Sequence, residues 1–121
     1  MQWKRSDPVY PVAEIGRAVE WYRRTFGFES RFESEIYAVL YRNNIALHLV
    51  KQGAGPPAIG GPAQAQFWID GKLDELFATL LAQDAKVIQA PADQPWGHRD
   101  FMVEDLDGNI VCVTIPLEAG T

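Results

Sequence analysis

The sequence predicts an α+β fold of two β-α-β-β-β modules, with mixed sheets forming a cleft. Three observations predict it. The order strand, helix, strand, strand, strand occurs twice along 121 residues. A Gly/Pro-rich connector, Gly53–Pro62, stands near the midpoint. Each module has one helical pattern for four strand patterns, so a helix would cover one sheet face and leave the other to line a cavity. The modules are expected over about 8–51 and 64–117, with a linker over about 52–63, in a single domain 1–121. The repeat lies in the element order, since residue-by-residue similarity between the halves is low.

In the first module, Val9–Ala13 follows Asp7-Pro8 and reads as a strand opening at a proline. Ile15, Ala18, Val19, Tyr22 and Phe26 then recur at helical spacing, with Arg17, Glu20, Arg23 and Arg24 off that face. Gly27 stands at the C-cap position, so a helix is predicted over Glu14–Phe26. Three strands follow: Phe28–Phe32, Glu35–Arg42 and Asn44–Lys51. Asn43-Asn44 supplies a two-residue hairpin, because Asn tolerates positive φ.

In the second module, Ala65–Asp70 reads as a strand. Lys72–Gln83 places Leu73, Leu76, Phe77 and Leu80 on one helical face. Lys86–Pro91, Trp96–Asp105 and Asn109–Pro116 are three further strands, with a tight turn at Asp107-Gly108.

Composition narrows the function. No apolar run is long enough for a membrane span. The first residues, MQWKRSDPVYPV, lack a signal-peptide pattern, which predicts a cytoplasmic location. One cysteine, Cys112, rules out an internal disulfide and fits a reducing compartment. A net charge of −5 without a basic cluster argues against nucleic acid; it suits a cationic partner weakly and is explained as well by solubility alone.

The chemistry-bearing residues are few. No glycine-rich phosphate loop opens a helix, since GAGPPAIGG has prolines where the helix should begin. No elbow motif surrounds Ser6, Ser30 or Ser34. Cys112 lies between Val111 and Val113 and reads as a packed thiol. His48 lies in IALHLV, on the face of Ala46 and Val50, with no second ligand two residues away. The densest polar stretch is QPWGHRDFMVEDLDGN, Gln94–Asn109. There His98 shares a strand face with Trp96, Asp100, Met102 and Glu104, a set that fits either a cleft wall or a solvated face. Phe32, Tyr37, Trp68 and Trp96 sit at strand ends or beside loops, near Glu33, Glu35 and Asp100. Flat aromatics beside carboxylates suit a planar cation by stacking and charge.

The doubled order, with PVYPVAEIGRAVEWYRRTFGFESRF, FWIDGKLDELF and QPWGHRDFMVEDLDGN, resembles the vicinal oxygen chelate superfamily. That group holds glyoxalases, extradiol dioxygenases, fosfomycin-resistance enzymes and bleomycin-resistance proteins. The last stretch is most similar to the bleomycin-resistance branch. In the superfamily's enzymes, the resemblance implies metal positions at Asp7, Gln66 and Cys112 here. That set is mismatched in hardness and poor in charge, so no metal, cofactor or catalytic residue is expected. The bleomycin-resistance branch implies a homodimer sequestering a cationic ligand against aromatics, matched by Phe32, Tyr37, Trp68 and Trp96. Gln66 stands where a further stacking tryptophan is implied, which sets bleomycin itself apart from the wider expectation of ligand binding.

The expected function is therefore metal-independent binding of a cationic or aromatic small molecule. The expected ligand-binding residues are Phe32, Glu33, Glu35, Tyr37, His48, Gln66, Trp68, Trp96 and Asp100. The alternative is a metal-dependent lyase or dioxygenase of the superfamily, drawing on Asp7, His48, His98 or Cys112. A homodimer is expected, with Met1–Pro8 and its Trp3 packing on or exchanging with the partner.

Overall fold

A computed structural model describes residues 1–54 and 61–118, so most of the expected connector Gly53–Pro62 lies outside the described residues. The chain divides into two compact units, Met1–Ala63 and Gln64–Thr121.

The first unit runs β1 (Val9–Val12), α1 (Ile15–Phe26), β2 (Glu29–Glu33), β3 (Tyr37–Arg42), β4 (Ile45–Lys51). The second runs β5 (Gln64–Trp68), α2 (Leu73–Ala82), β6 (Lys86–Asp93), β7 (His98–Glu104), β8 (Ile110–Pro116). The sheets are ordered β1-β4-β3-β2 and β5-β8-β7-β6. The first strand of each unit pairs parallel with the last, and the other pairs are antiparallel. Both sheets are thus mixed, and the repeated order is a repeated topology.

Alternation assigns the faces. In the first unit Tyr10, Val12, Ala38, Leu40, Leu47 and Leu49 are all essentially inaccessible. Helix α1 buries Ile15, Ala18, Val19, Trp21, Tyr22, Thr25 and Phe26. Trp21 lies outside the helical stripe read from spacing, and it packs edge-on against Tyr22 and Phe26 at 4.8 and 5.8 Å between centroids. The helix ends at Gly27, whose φ of 73° is left-handed; its N–H donates to the Arg23 carbonyl and that of Phe28 to the Tyr22 carbonyl. In the second unit Phe101, Val103, Leu73 and Leu80 are fully buried, and Phe77 of α2 lies 5.3 Å from Phe101.

Several boundaries differ from expectation. Strand β3 begins at Tyr37 rather than Glu35, because the Ser34 hydroxyl accepts from the Ile36 and Tyr37 N–H groups and holds a turn. Strand β2 is shifted by one residue to Glu29–Glu33, with an irregularity between Ser30 and Phe32. Strand β6 continues past Pro91 to Asp93, which its edge position allows. Strand β7 starts at His98, so Trp96 belongs to the preceding turn rather than the strand. That turn is closed by Gly97 N–H to Gln94 O and Gln94 N–H to His98 O. Asn43, at φ 51°, makes the expected turn before β4.

The Asp107-Gly108 turn is also larger than the two-residue hairpin expected. Asp105 N–H donates to the Asn109 carbonyl and closes the loop. One Asp105 carboxylate oxygen accepts from the Asp107 and Asn109 N–H groups, and the other from the Asn109 side chain. Asn109 is wholly buried. Asp105→Ala is therefore expected to lower stability by about 1–3 kcal/mol, the cost of buried donors left unpaired, measured by urea unfolding.

Candidate functional site

The face of the second sheet turned away from α2 carries the polar groups. Register sets them in rows: Gln66, Cys112, Met102 and Gln89 in one, Trp68, Thr114, Asp100 and Ala92 in the next. His98 lies one step further along β7. Trp68 and Trp96 each stand edge-on to the His98 ring, at 5.4 and 5.8 Å between centroids. Both indoles are open to solvent, 52% and 69% exposed, whereas Asp100 between the strands is 3% exposed. The Trp96 indole nitrogen lies 2.9 Å from His98 Nε2, although Trp96 is not on the strand; Nε2 accepts its N–H only in the tautomer that leaves no proton there for Asp100.

Asp100 is buried but fully provided for. Its Oδ1 accepts from Gln89 at 2.7 Å and from Gln94 at 3.0 Å. Its Oδ2 lies 3.1 Å from His98 Nε2 and 3.8 Å from the Cys112 thiol. Burial pushes the carboxyl pKa up, but the bonds from Gln94, Gln89 and His98 outweigh it and leave the pKa below the ordinary 3.8. So enclosed, Asp100 lies behind His98, away from solvent. Gln66 donates to Thr114 Oγ1 at 3.0 Å and approaches His98 Nε2 at 3.5 Å.

In the first unit, the face turned away from α1 carries Phe32, Val39, His48 and Val9 in one row and Tyr37 beside Val50 in the next. Phe32 is 54% exposed. His48 lies between two partners, Tyr37 Oη at 2.7 Å from Nδ1 and Asp7 Oδ2 at 3.0 Å from Nε2. Asp7 is paired in turn with Arg5 at 3.1 Å. A search two residues either side of His48 misses Asp7, because parallel pairing of β1 with β4 brings it from across the chain.

Two expected residues are not brought to this face. Glu33 pairs with Ala38, whose side chain lies on the α1 side, so alternation sends Glu33 away from Phe32. Glu35 stands in the Ser34 turn, outside any strand. Both are exposed. Gln89, Gln94 and Thr114 join the Asp100 cluster without having been singled out in the sequence. A polar residue on the face of a buried carboxylate is the signal that would have found Gln89 and Thr114, and only the turn geometry adds Gln94.

A family model described as the glyoxalase/bleomycin resistance protein/dioxygenase superfamily matches residues 7–113. The chain belongs to that superfamily. Among relatives within it, bleomycin resistance proteins of Geobacillus stearothermophilus and Staphylococcus aureus are each 26% identical over 125 residues, covering 88% of this chain and 92% of theirs. The crystal structure of TioX from Micromonospora sp. ML1 is similar with a TM-score of 0.77 at 27% identity, over 93% of this chain and 100% of that one. Lactoylglutathione lyase from Agrobacterium tumefaciens has a TM-score of 0.81 at 19% identity, over 95% and 96%, which speaks to the shared superfamily fold alone.

The metal positions implied for this superfamily can be tested on their donors. Asp7 is engaged by Arg5 and His48. Gln66 offers a neutral amide. The Cys112 thiol is buried, and burial pushes its pKa up, with the nearby Asp100 charge adding to it. Among the described residues, no three His, Cys, Asp or Glu side chains are grouped to hold a metal. These donors do not fit a divalent ion, which asks for three or four converging, deprotonated ligands.

Two outcomes follow. Cys112 is expected to react with a disulfide reagent such as DTNB at pH 8 far more slowly in the native protein than in urea, with the rate followed by absorbance. A carboxyl whose folded pKa is depressed stabilises the fold above its unfolded value, and that contribution is lost as pH falls through the folded pKa. Stability from Asp100 is thus expected to be full above about pH 5 and to drain away below its ordinary 3.8. Urea midpoints between pH 2 and 7 should fall less steeply at the acid end in Asp100→Asn.

Proposed function

We propose that the chain binds and sequesters a cationic or aromatic small molecule without the help of a metal. The observation that carries this reading is the pair of exposed tryptophans, Trp68 and Trp96, set edge-on around His98 above a buried, ionised Asp100. Two large indoles left open beside one polar group form a surface on which a flat ligand stacks. The negative charge behind His98, together with a net charge of −5, favours a cation. Relatedness to bleomycin resistance proteins supports the same reading. On the first unit, Phe32, Tyr37 and His48 supply a second aromatic and polar surface, while Glu33 and Glu35 contribute field rather than contact.

We further propose that the protein works as a cytoplasmic homodimer organised as one domain. The single cysteine suits a reducing compartment. Trp3 is 92% exposed within the chain, a surface that a partner subunit would cover. Among the described residues, no helix is long and apolar enough to cross a membrane.

Isothermal titration at low salt with bleomycin, and separately with a planar cation such as ethidium, tests the binding. Heat that diminishes with added salt is expected. Trp68→Ala and Trp96→Ala should each weaken binding by roughly 2- to 12-fold, the worth of one aromatic contact. No heat from any cationic aromatic would sink the proposal. Stoichiometric Zn, Mn, Fe or Ni in protein purified without chelator would favour the superfamily's metal-dependent lyase or dioxygenase chemistry instead.

A further inference from the structure

We propose that Tyr37 is a dedicated hydrogen-bond acceptor, so the ligand group that meets it is a donor: an ammonium, an amidinium or an amide N–H. The proposal deepens the binding reading above and rests on it.

The role is set by a chain of four side chains in the first unit. Arg5 faces Asp7 with two contacts, at 3.1 and 3.2 Å. A carboxylate paired with a guanidinium offers acceptors only. His48 Nε2, 3.0 Å from Asp7 Oδ2, must therefore carry the imidazole proton. A neutral imidazole has one N–H, which leaves Nδ1 as an acceptor. Tyr37 Oη, 2.7 Å from Nδ1, then donates its only proton inward. What the phenol presents outward is oxygen lone pairs and nothing else.

The surroundings keep this arrangement in place. Burial, with the Asp7 charge added, pushes the Tyr37 pKa up, so the phenol retains its proton. The Tyr37 and His48 rings are edge-on at 5.6 Å. The His48 backbone is pinned by its N–H to the Pro8 carbonyl at 3.0 Å. Exposed Phe32 lies on the same face, one strand over from Tyr37 and two residues along. At about 4.8 Å between strands and about 3.4 Å per residue that is roughly 8 Å, the span of a small aromatic ring system with an amino group at one end.

A carboxylate or phosphate at Tyr37 would meet lone pairs with no proton between them. The site thus selects by polarity of hydrogen bonding, apart from net charge. Tyr37→Phe separates the two effects, because it removes an acceptor without altering any charge.

The test has two arms. In the first, 15N NMR of the ligand-free protein at pH 7.5 reads the His48 tautomer. The expected result is a protonated Nε2 and a bare Nδ1 whose resonance moves in Tyr37→Phe. A protonated Nδ1, alone or as imidazolium, overturns the proposal. In the second, titration calorimetry compares tryptamine with indole-3-propionate on wild type and Tyr37→Phe. The variant is expected to lose tryptamine affinity by roughly tenfold and to leave the propionate unchanged or improved. An unchanged preference in Tyr37→Phe, with wild type binding tryptamine, overturns the acceptor role alone. Failure of tryptamine to bind wild type overturns the binding reading of this face, and this inference with it.

Discussion

A strand side chain has two directions open to it, and in each sheet one of them is taken by a helix. Against α1 the first sheet turns Tyr10, Val12, Ala38, Leu40, Leu47 and Leu49, all inaccessible. On the α2 side the second sheet turns Phe101 and Val103. Whatever chemistry a unit has must come from the residues one step along. Tyr37 and His48 therefore share one face, and Trp68, Asp100, Cys112 and Thr114 share another. A slip of one residue in β7 would exchange the Asp100 cluster for Phe101, which is why the buried turn at Asp105 and Asn109 matters to the site as well as to the fold.

The parallel pairing of first strand with last is the second consequence of that arrangement. It carries the residues before β1 to the middle of β4, and so brings Asp7 to His48. It also carries β5 beside β8, and so brings Gln66 and Trp68 to Cys112 and Thr114. Each unit thus places an aspartate on a histidine Nε2, although the two reach it differently. Asp7 comes from across the sheet, whereas Asp100 sits two residues along from His98 on one strand. The two carboxylates are also supported by different chemistry, a guanidinium in one and a pair of glutamine amides in the other. The first is an ion pair open to solvent, and the second is a buried anion neutralised by dipoles.

Much of the fold was legible in the sequence because it rests on short periods. Ile15, Ala18, Val19, Tyr22 and Phe26 announce α1 at helical spacing, and Gly27 announces its end. The element order and the mixed sheets follow from the same patterns repeated. Boundaries were less legible wherever a side chain captured the backbone. Ser34 delays β3 to Tyr37, and Asp105 enlarges the turn before β8. Neither oxygen leaves a trace in hydrophobic periodicity. The candidate site was legible as residue types: unlike Glu33 and Glu35, the residues Phe32, Tyr37, His48, Gln66, Trp68, Trp96 and Asp100 all stand on or beside the helix-free faces. Their partners were not, since Asp7 and Gln89 reach them through strand pairing.

The sequence by itself determined the class of fold, the positions of the helices and the few aromatic and polar side chains available for chemistry. These depend on local spacing, which one chain displays along its length. Only the tertiary structure decided what those side chains do. It buried Asp100 among Gln89, Gln94 and His98. It drew Trp96 out of the strand and still brought its indole to His98. It separated Glu33 from Phe32 by a strand's alternation, and it gave His48 a carboxylate on one nitrogen and a phenol on the other. Register, burial and hydrogen-bond direction arise between segments far apart in the chain, and no local pattern encodes them.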